Sequence, residues 1–222
     1  MVPVFRSLFN YISVLILPLL FITARSDDVE CLRSIRHSLK DPSNYLASWD
    51  FSNGSNGFIC KFVGIECWHP DENRVLNIQL SSMGLSGKFP TGVSKCRSMT
   101  GLDLSGNSLR GIIPSNISSI MPYIVSLDLS SNNFSGEIPR SLANCSFLNV
   151  VKLDNNQLSG HIPPEIGLLQ RIKTFSVANN RLNGPVPHFV SSAIPAESYA
   201  GNPGLCGGPL PACPARPPEN KS

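Results

Sequence analysis

Apolar positions along the middle of the chain fall in one repeating frame. The stretch from Leu127 to Pro139 sets it as L-x-L-x-x-N-x-L-x-G-x-I-P, and the same spacing returns over 102–114, 151–163 and 175–187. A degenerate first copy runs over 78–90, and the closing prolines, Pro90, Pro114, Pro139, Pro163 and Pro187, step by 24, 25, 24 and 24 residues. A fixed period in the twenties predicts a solenoid, because a unit this short cannot bury its own apolar face and must stack on its neighbours.

The spacing is that of leucine-rich repeats, an α/β solenoid. In each L-x-L segment alternate side chains point to opposite faces, so Leu102/Leu104, Leu127/Leu129, Val151/Leu153 and Phe175/Val177 are expected inside, with adjacent repeats pairing as parallel strands. Asn107, Asn132, Asn156 and Asn180 sit where a buried amide can bond the backbone of neighbouring turns, which are expected to lack regular ladder partners. The first copy has Met83 there, as an atypical terminal repeat would. The glycines at 87, 111, 136, 160 and 184 suit tight or positive-φ backbone.

Ahead of the repeats, Val29, Leu32, Ile35 and Leu39 fall at helical spacing, with Asp27 and Glu30 as an N-terminal capping pair and Asp41-Pro42 as the stop. This predicts a short helix over 27–40 that covers the open apolar end of the first repeat, with Trp49, Phe51, Phe58, Phe62 and Trp68 adding bulk to the cap. Earlier still, Arg6, an apolar run from Ile12 to Ile22 and small residues before Asp27 read as a signal peptide over 1–26, cleaved near Ser26, with an uncleaved anchor as the alternative. The organisation expected is therefore signal peptide 1–26, N-terminal cap 27–73, repeats 74–190, C-terminal cap 191–213 and proline-rich linker 214–222.

A secretory route changes how the cysteines are read. Seven leave at least one unpaired. Cys60 and Cys67 flank the front cap, and Cys206 and Cys213, at the same separation, flank the back, so each pair could staple a cap. Cys96 and Cys145 share an offset in different repeats and are expected to be core thiols, and Cys31 a buried free one. Sequons stand at Asn53, Asn116, Asn133, Asn144 and Asn220, the first four being the candidate glycan sites.

Composition removes several function classes. Only 15% of residues are charged, the net charge is +3, and no basic stripe suggests nucleic acid. His37, His69, His161 and His188 have no metal-ligand spacing, and no catalytic motif, phosphate loop or paired nucleophile is present, so neither an enzyme, a cofactor nor a small-molecule substrate is expected. What remains is the solvent side of the solenoid. The position before the first apolar of each repeat gives Arg74, Ser98, Tyr123, Phe147 and Arg171; three further on come Asn77, Gly101, Ser126, Val150 and Thr174, and two beyond those Gln79, Asp103, Asp128, Lys152 and Ser176. On this mostly polar surface Tyr123, Phe147, Val150, Lys152 and Arg171 form the candidate partner-binding set. The alternative is that Tyr123 and Phe147 pack against a neighbouring loop.

The L-x-G-x-I-P repeats, the front cap with Trp49 and Cys60-x6-Cys67, and the back cap Gly201-Asn202-Pro203-Gly204-Leu205-Cys206-Gly207 resemble the extracellular domain of plant leucine-rich-repeat receptor kinases. More narrowly, Cys31-Leu32, Asp41-Pro42, the segments 57–64 and 68–75 and Phe175-Ser176-Val177-Ala178-Asn179-Asn180 are similar to the small-ectodomain receptor-like pseudokinases, which bind somatic-embryogenesis co-receptor kinases. The resemblance implies five plant-type 24-residue repeats, a co-receptor ectodomain as partner and restraint of immune and brassinosteroid signalling. It also implies a cell-surface or apoplastic location and, in a longer protein, a single membrane span beyond Ser222 and an inactive kinase-like domain. A secreted inhibitor of pathogen cell-wall hydrolases is the alternative, and a peptide-hormone receptor a more distant one.

Overall fold

The computed structural model describes residues 27–214. The expected signal peptide, and all but the first residue of the expected linker, lie outside the described residues. Each repeat is a three-sided coil: a strand in one sheet, a strand in a second sheet, and a short helical turn.

The first sheet comes from the L-x-L segments. Its order is β2 (Ile65–Cys67), β3 (Val75–Gln79), β5 (Gly101–Asp103), β7 (Ser126–Asp128), β9 (Val150–Lys152) and β11 (Thr174–Ser176). All neighbours are parallel except β2 with β3. Register is fixed by burial, since Ile78, Leu102, Leu127, Val151 and Phe175 lie opposite one another and are all buried, and a one-residue slip would put every one in water.

The second sheet is what the periodicity did not predict. The L-x-G segments, expected as turns without ladder partners, form β4 (Ser86–Gly87), β6 (Ser108–Ile112), β8 (Asn133–Gly136), β10 (Gln157–Gly160) and β12 (Arg181–Pro185) in parallel order. The front cap adds β1 (Leu39–Lys40), antiparallel, at one edge and the back cap adds β13 (Gly204–Cys206) at the other. Gly136 and Gly160 close their strands at φ 78° and 77°, where an L side chain is strained and a Cβ would press on Ile112 and Glu137 of the preceding repeat. On the third side, turns at Thr91–Lys95, Arg140–Asn144 and Pro164–Leu168 and the short helix α2 (Ile117–Ile120) bury Val93, Leu142, Ile166, Ile117 and Ile120.

Between the sheets runs a ladder of asparagine amides. In Asn132 the Oδ1 accepts from the Leu109 N–H at 2.9 Å while Nδ2 donates to the carbonyls of Leu104, Leu129 and Ser130 at 2.9, 3.3 and 3.1 Å. Asn107, Asn156 and Asn180 repeat the arrangement. The back cap continues it, with Asn202 accepting from the Leu182 N–H and donating to Val177 and Tyr199. The cap is thus a further, modified turn of the same coil.

The front cap opens with α1 (Asp27–Ser38), which buries Val29, Cys31, Leu32 and Ile35. It stops two residues before the expected end, because Leu39 and Lys40 pair with Gly87 and Ser86 instead. Trp49, Phe51 and Phe58 pack around Phe62 with ring centroids 5.8, 5.1 and 5.6 Å away. Cys60 is bonded to Cys67 and Cys206 to Cys213. The expectation of free thiols at Cys31 and Cys96 is corrected: they form a third disulfide across 65 residues of sequence. The helix lies directly on the 91–95 turn, so the offset that looked like a core position is also the position facing α1. Cys145, at the same offset but away from the cap, is the free cysteine and is buried.

Three outcomes follow. Asn132→Ala leaves a buried N–H and three carbonyls short of a partner and should cost about 2–4 kcal/mol in chemical denaturation, whereas the exposed Asn183→Ala should stay within about 0.5 kcal/mol of wild type. Removing the Cys31–Cys96 bond with paired Ser substitutions should cost about 2–5 kcal/mol. Burial pushes the Cys145 thiol up to about 11, so it should resist alkylation at pH 8 until the chain is unfolded.

Candidate functional site

The N-terminal ends of the first-sheet strands line up one side chain from each repeat. Strand alternation sends Leu127, Val151 and Phe175 inward and leaves Val150 and Lys152 on the outer face, both half-buried. Just before the strands, Tyr123 and Phe147 remain 54% and 38% exposed although their rings touch, with centroids 6.0 Å apart. The Arg171 guanidinium stands over the Phe147 ring, 5.4 Å from its centroid. The two aromatics thus pack on each other, and both stay partly exposed.

An ion pair is built into this face. Lys152 Nζ lies 3.2 Å from Asp128 Oδ2, with Asp128 further held by the Ser130 N–H and hydroxyl at 3.0 and 2.6 Å. Lys152 is thus tethered beside Val150, one repeat from Arg171. All five sequence-nominated residues come together on one side of the solenoid.

Sequence reasoning misplaced one residue. Trp68, assigned to cap bulk, is 43% exposed and stands at the start of the same strip. Its indole N–H donates to the Ser98 carbonyl at 3.1 Å, and Arg74 lies 5.3 Å from its ring while donating from Nε to the Ser98 hydroxyl at 3.0 Å. The signal was available in the column that begins Arg74, Ser98, Tyr123, Phe147, Arg171. What hid Trp68 is that its neighbour on β2, Cys67, belongs to the cap. Between Trp68 and Phe147 runs an open groove of about 440 Å³, lined also by Thr100, Tyr123 and Val125.

The four sequons within the described residues, Asn53, Asn116, Asn133 and Asn144, are exposed, and none lies on a first-sheet strand. Among the described residues no group of three His, Cys, Asp or Glu side chains is placed to hold a metal, and no helix is long and apolar enough to cross a membrane. The face offers aromatic rings, two half-buried strand side chains and fixed cations, which is the chemistry of protein recognition.

This architecture is that of a leucine-rich-repeat protein. Residues 25–68 match the Leucine rich repeat N-terminal domain, and 98–120, 123–145 and 147–169 match the Leucine Rich Repeat. BIR2, an inactive LRR receptor-like serine/threonine-protein kinase of Arabidopsis thaliana, is 55% identical over 126 residues, which are 57% of this chain and 21% of BIR2. The crystal structure of the BIR2 ectodomain superposes with a TM-score of 0.82 at 49% identity, covering 85% of this chain and 99% of that one. A chain of the Arabidopsis BIR3–SERK2 complex superposes at 0.79 and 46% identity, over 85% of this chain and 100% of that one. The chain belongs to the leucine-rich-repeat ectodomains of the plant receptor-like kinases, in the group that includes BIR2. It spans about a fifth of the length of the curated relatives it matches.

Proposed function

We propose that this chain is a non-enzymatic, cell-surface recognition domain that docks a co-receptor kinase ectodomain of the SERK type through the strip from Tyr123 to Arg171. The observation that carries the reading is the Tyr123–Phe147–Arg171 stack, exposed on a mostly polar face. The solved complex of the relative BIR3 with SERK2 supports the choice of partner. The stack needs little ordering on binding, because the rings already rest on each other and the backbone beneath is held in two sheets. Occupying a shared co-receptor would withhold it from other receptors, which is how such a domain restrains signalling without chemistry. The kinase-like domain of the relatives lies in the length that this chain does not span.

Glycans at Asn53, Asn116, Asn133 and Asn144 fit the same reading, since all four leave the first-sheet strands bare. Asn144, three residues before Phe147, borders the strip and limits how a partner approaches from that side.

Phe147→Ala should weaken binding to the SERK2 ectodomain by at least about 30-fold, the scale of a central hot spot, and Arg171→Glu should weaken it further with no change in unfolding midpoint. Unchanged affinity in both variants contradicts the assignment. Peptide mapping of the secreted protein should find glycan on the four sequons, and enzymatic deglycosylation should leave the affinity within about threefold, as expected for glycans outside the contact.

A further inference from the structure

The aromatic strip continues past Tyr123 onto the front cap, and its character changes there. From Arg74 to Arg171 the column crosses four strand intervals, about 19 Å at ~4.8 Å each. That is the span of a protein contact rather than of a small ligand. Over the half from Tyr123 to Arg171 the acidic Asp128 answers Lys152. In the other half the groove between Trp68 and Phe147 is lined by Arg74 and Arg97 and by no carboxylate.

These two cations are lightly committed. Arg74 spends its Nε on the Ser98 hydroxyl and rests against Trp68, and it also lies in the field of the buried Asp28. Arg97 faces Asp27 at 3.8 Å with both side chains largely exposed, 80% and 69%, an ion pair that water screens heavily. Ser98 fixes the geometry by accepting from both Trp68 and Arg74, so the indole and the guanidinium stand side by side at the groove's edge. Tyr123 and Val125 lining the groove beside two cations fit an apolar side chain followed by a carboxylate.

Resting on the docking reading above, we propose that the Trp68–Arg74–Arg97 groove is a second contact of the same face. It takes an acidic segment of the partner ectodomain, with its carboxylate held between Arg74 and Arg97 and its apolar neighbour against Trp68 and Tyr123. The Phe147 stack anchors the partner, and the groove steers and selects it.

Surface plasmon resonance with immobilised SERK2 ectodomain tests this, using the glycosylated secreted chain at low and high salt. Arg97→Glu, on a side chain exposed enough to leave folding intact, should slow association about tenfold, leave dissociation nearly unchanged and flatten the salt dependence. Trp68→Ala should instead speed dissociation, and Arg74→Gln should do part of both. Should Phe147→Ala weaken binding while Arg97→Glu, Arg74→Gln and Trp68→Ala all keep wild-type kinetics and salt dependence, the groove is outside the contact and the proposal is overturned, with the docking reading intact. A wild-type chain that fails to bind at all overturns both.

Discussion

One side-chain amide in each repeat after the first sets the geometry of this protein. A coil that reverses direction three times in about 24 residues has many backbone groups pointing inward where no helix or sheet can satisfy them. Asn107, Asn132, Asn156, Asn180 and Asn202 satisfy them, each joining its own turn to the preceding one. An aspartate could accept but not donate, and a leucine could do neither. Because the amide bonds both turns at fixed distances, it sets the stacking of one repeat on the next and works with core burial to hold the register of both sheets. The outer strip inherits that spacing: Tyr123 meets Phe147, and Phe147 meets Arg171, because the strands beneath them are adjacent and in register.

The ends of such a coil are its weak points, since each would expose a cross-section of core. The two caps solve this differently. At the front, α1 lies across the first repeat, tied by Cys31–Cys96 and by buried Asp28 accepting from the Val75 N–H at 2.6 Å. At the back the chain keeps coiling, with Tyr199 filling a core position against Phe175 and Asn202 closing the ladder. Burial pushes the Tyr199 phenol up to about 12, so it stays neutral across the physiological range. The front cap also reaches outward: the β2 strand that joins the first sheet leads straight into Trp68.

How far the sequence discloses this depends on range. The L-x-L spacing and the asparagines are periodic, so the first sheet and the ladder could be read directly. The second sheet could not, because G-x-I-P carries glycine and proline, which signal turns unless the neighbouring copies are known to align. Cys31–Cys96 joins residues from two different local patterns, a helix and a repeat, and nothing in either names the other. Trp68 was misread for a related reason: an aromatic among cap aromatics looks like core until its indole is seen bonded to Ser98 of the next repeat. Tyr123 and Phe147 were found because a column of otherwise polar positions made two rings conspicuous. Their mutual contact, which fixes their orientation, became visible only with the strands in register.

On the docking proposed above, the outer face of the first sheet, and no other surface, receives the partner. Hydroxyl-radical footprinting followed by mass spectrometry reads this directly, because exposed apolar side chains occur both on and off that face. On saturation with the SERK2 ectodomain, oxidation should fall at Tyr123 and Phe147 and stay unchanged at Ile112, Leu168 and Val190, which are 66%, 63% and 51% exposed. Protection of Ile112, Leu168 or Val190 with Tyr123 and Phe147 still oxidised would contradict it.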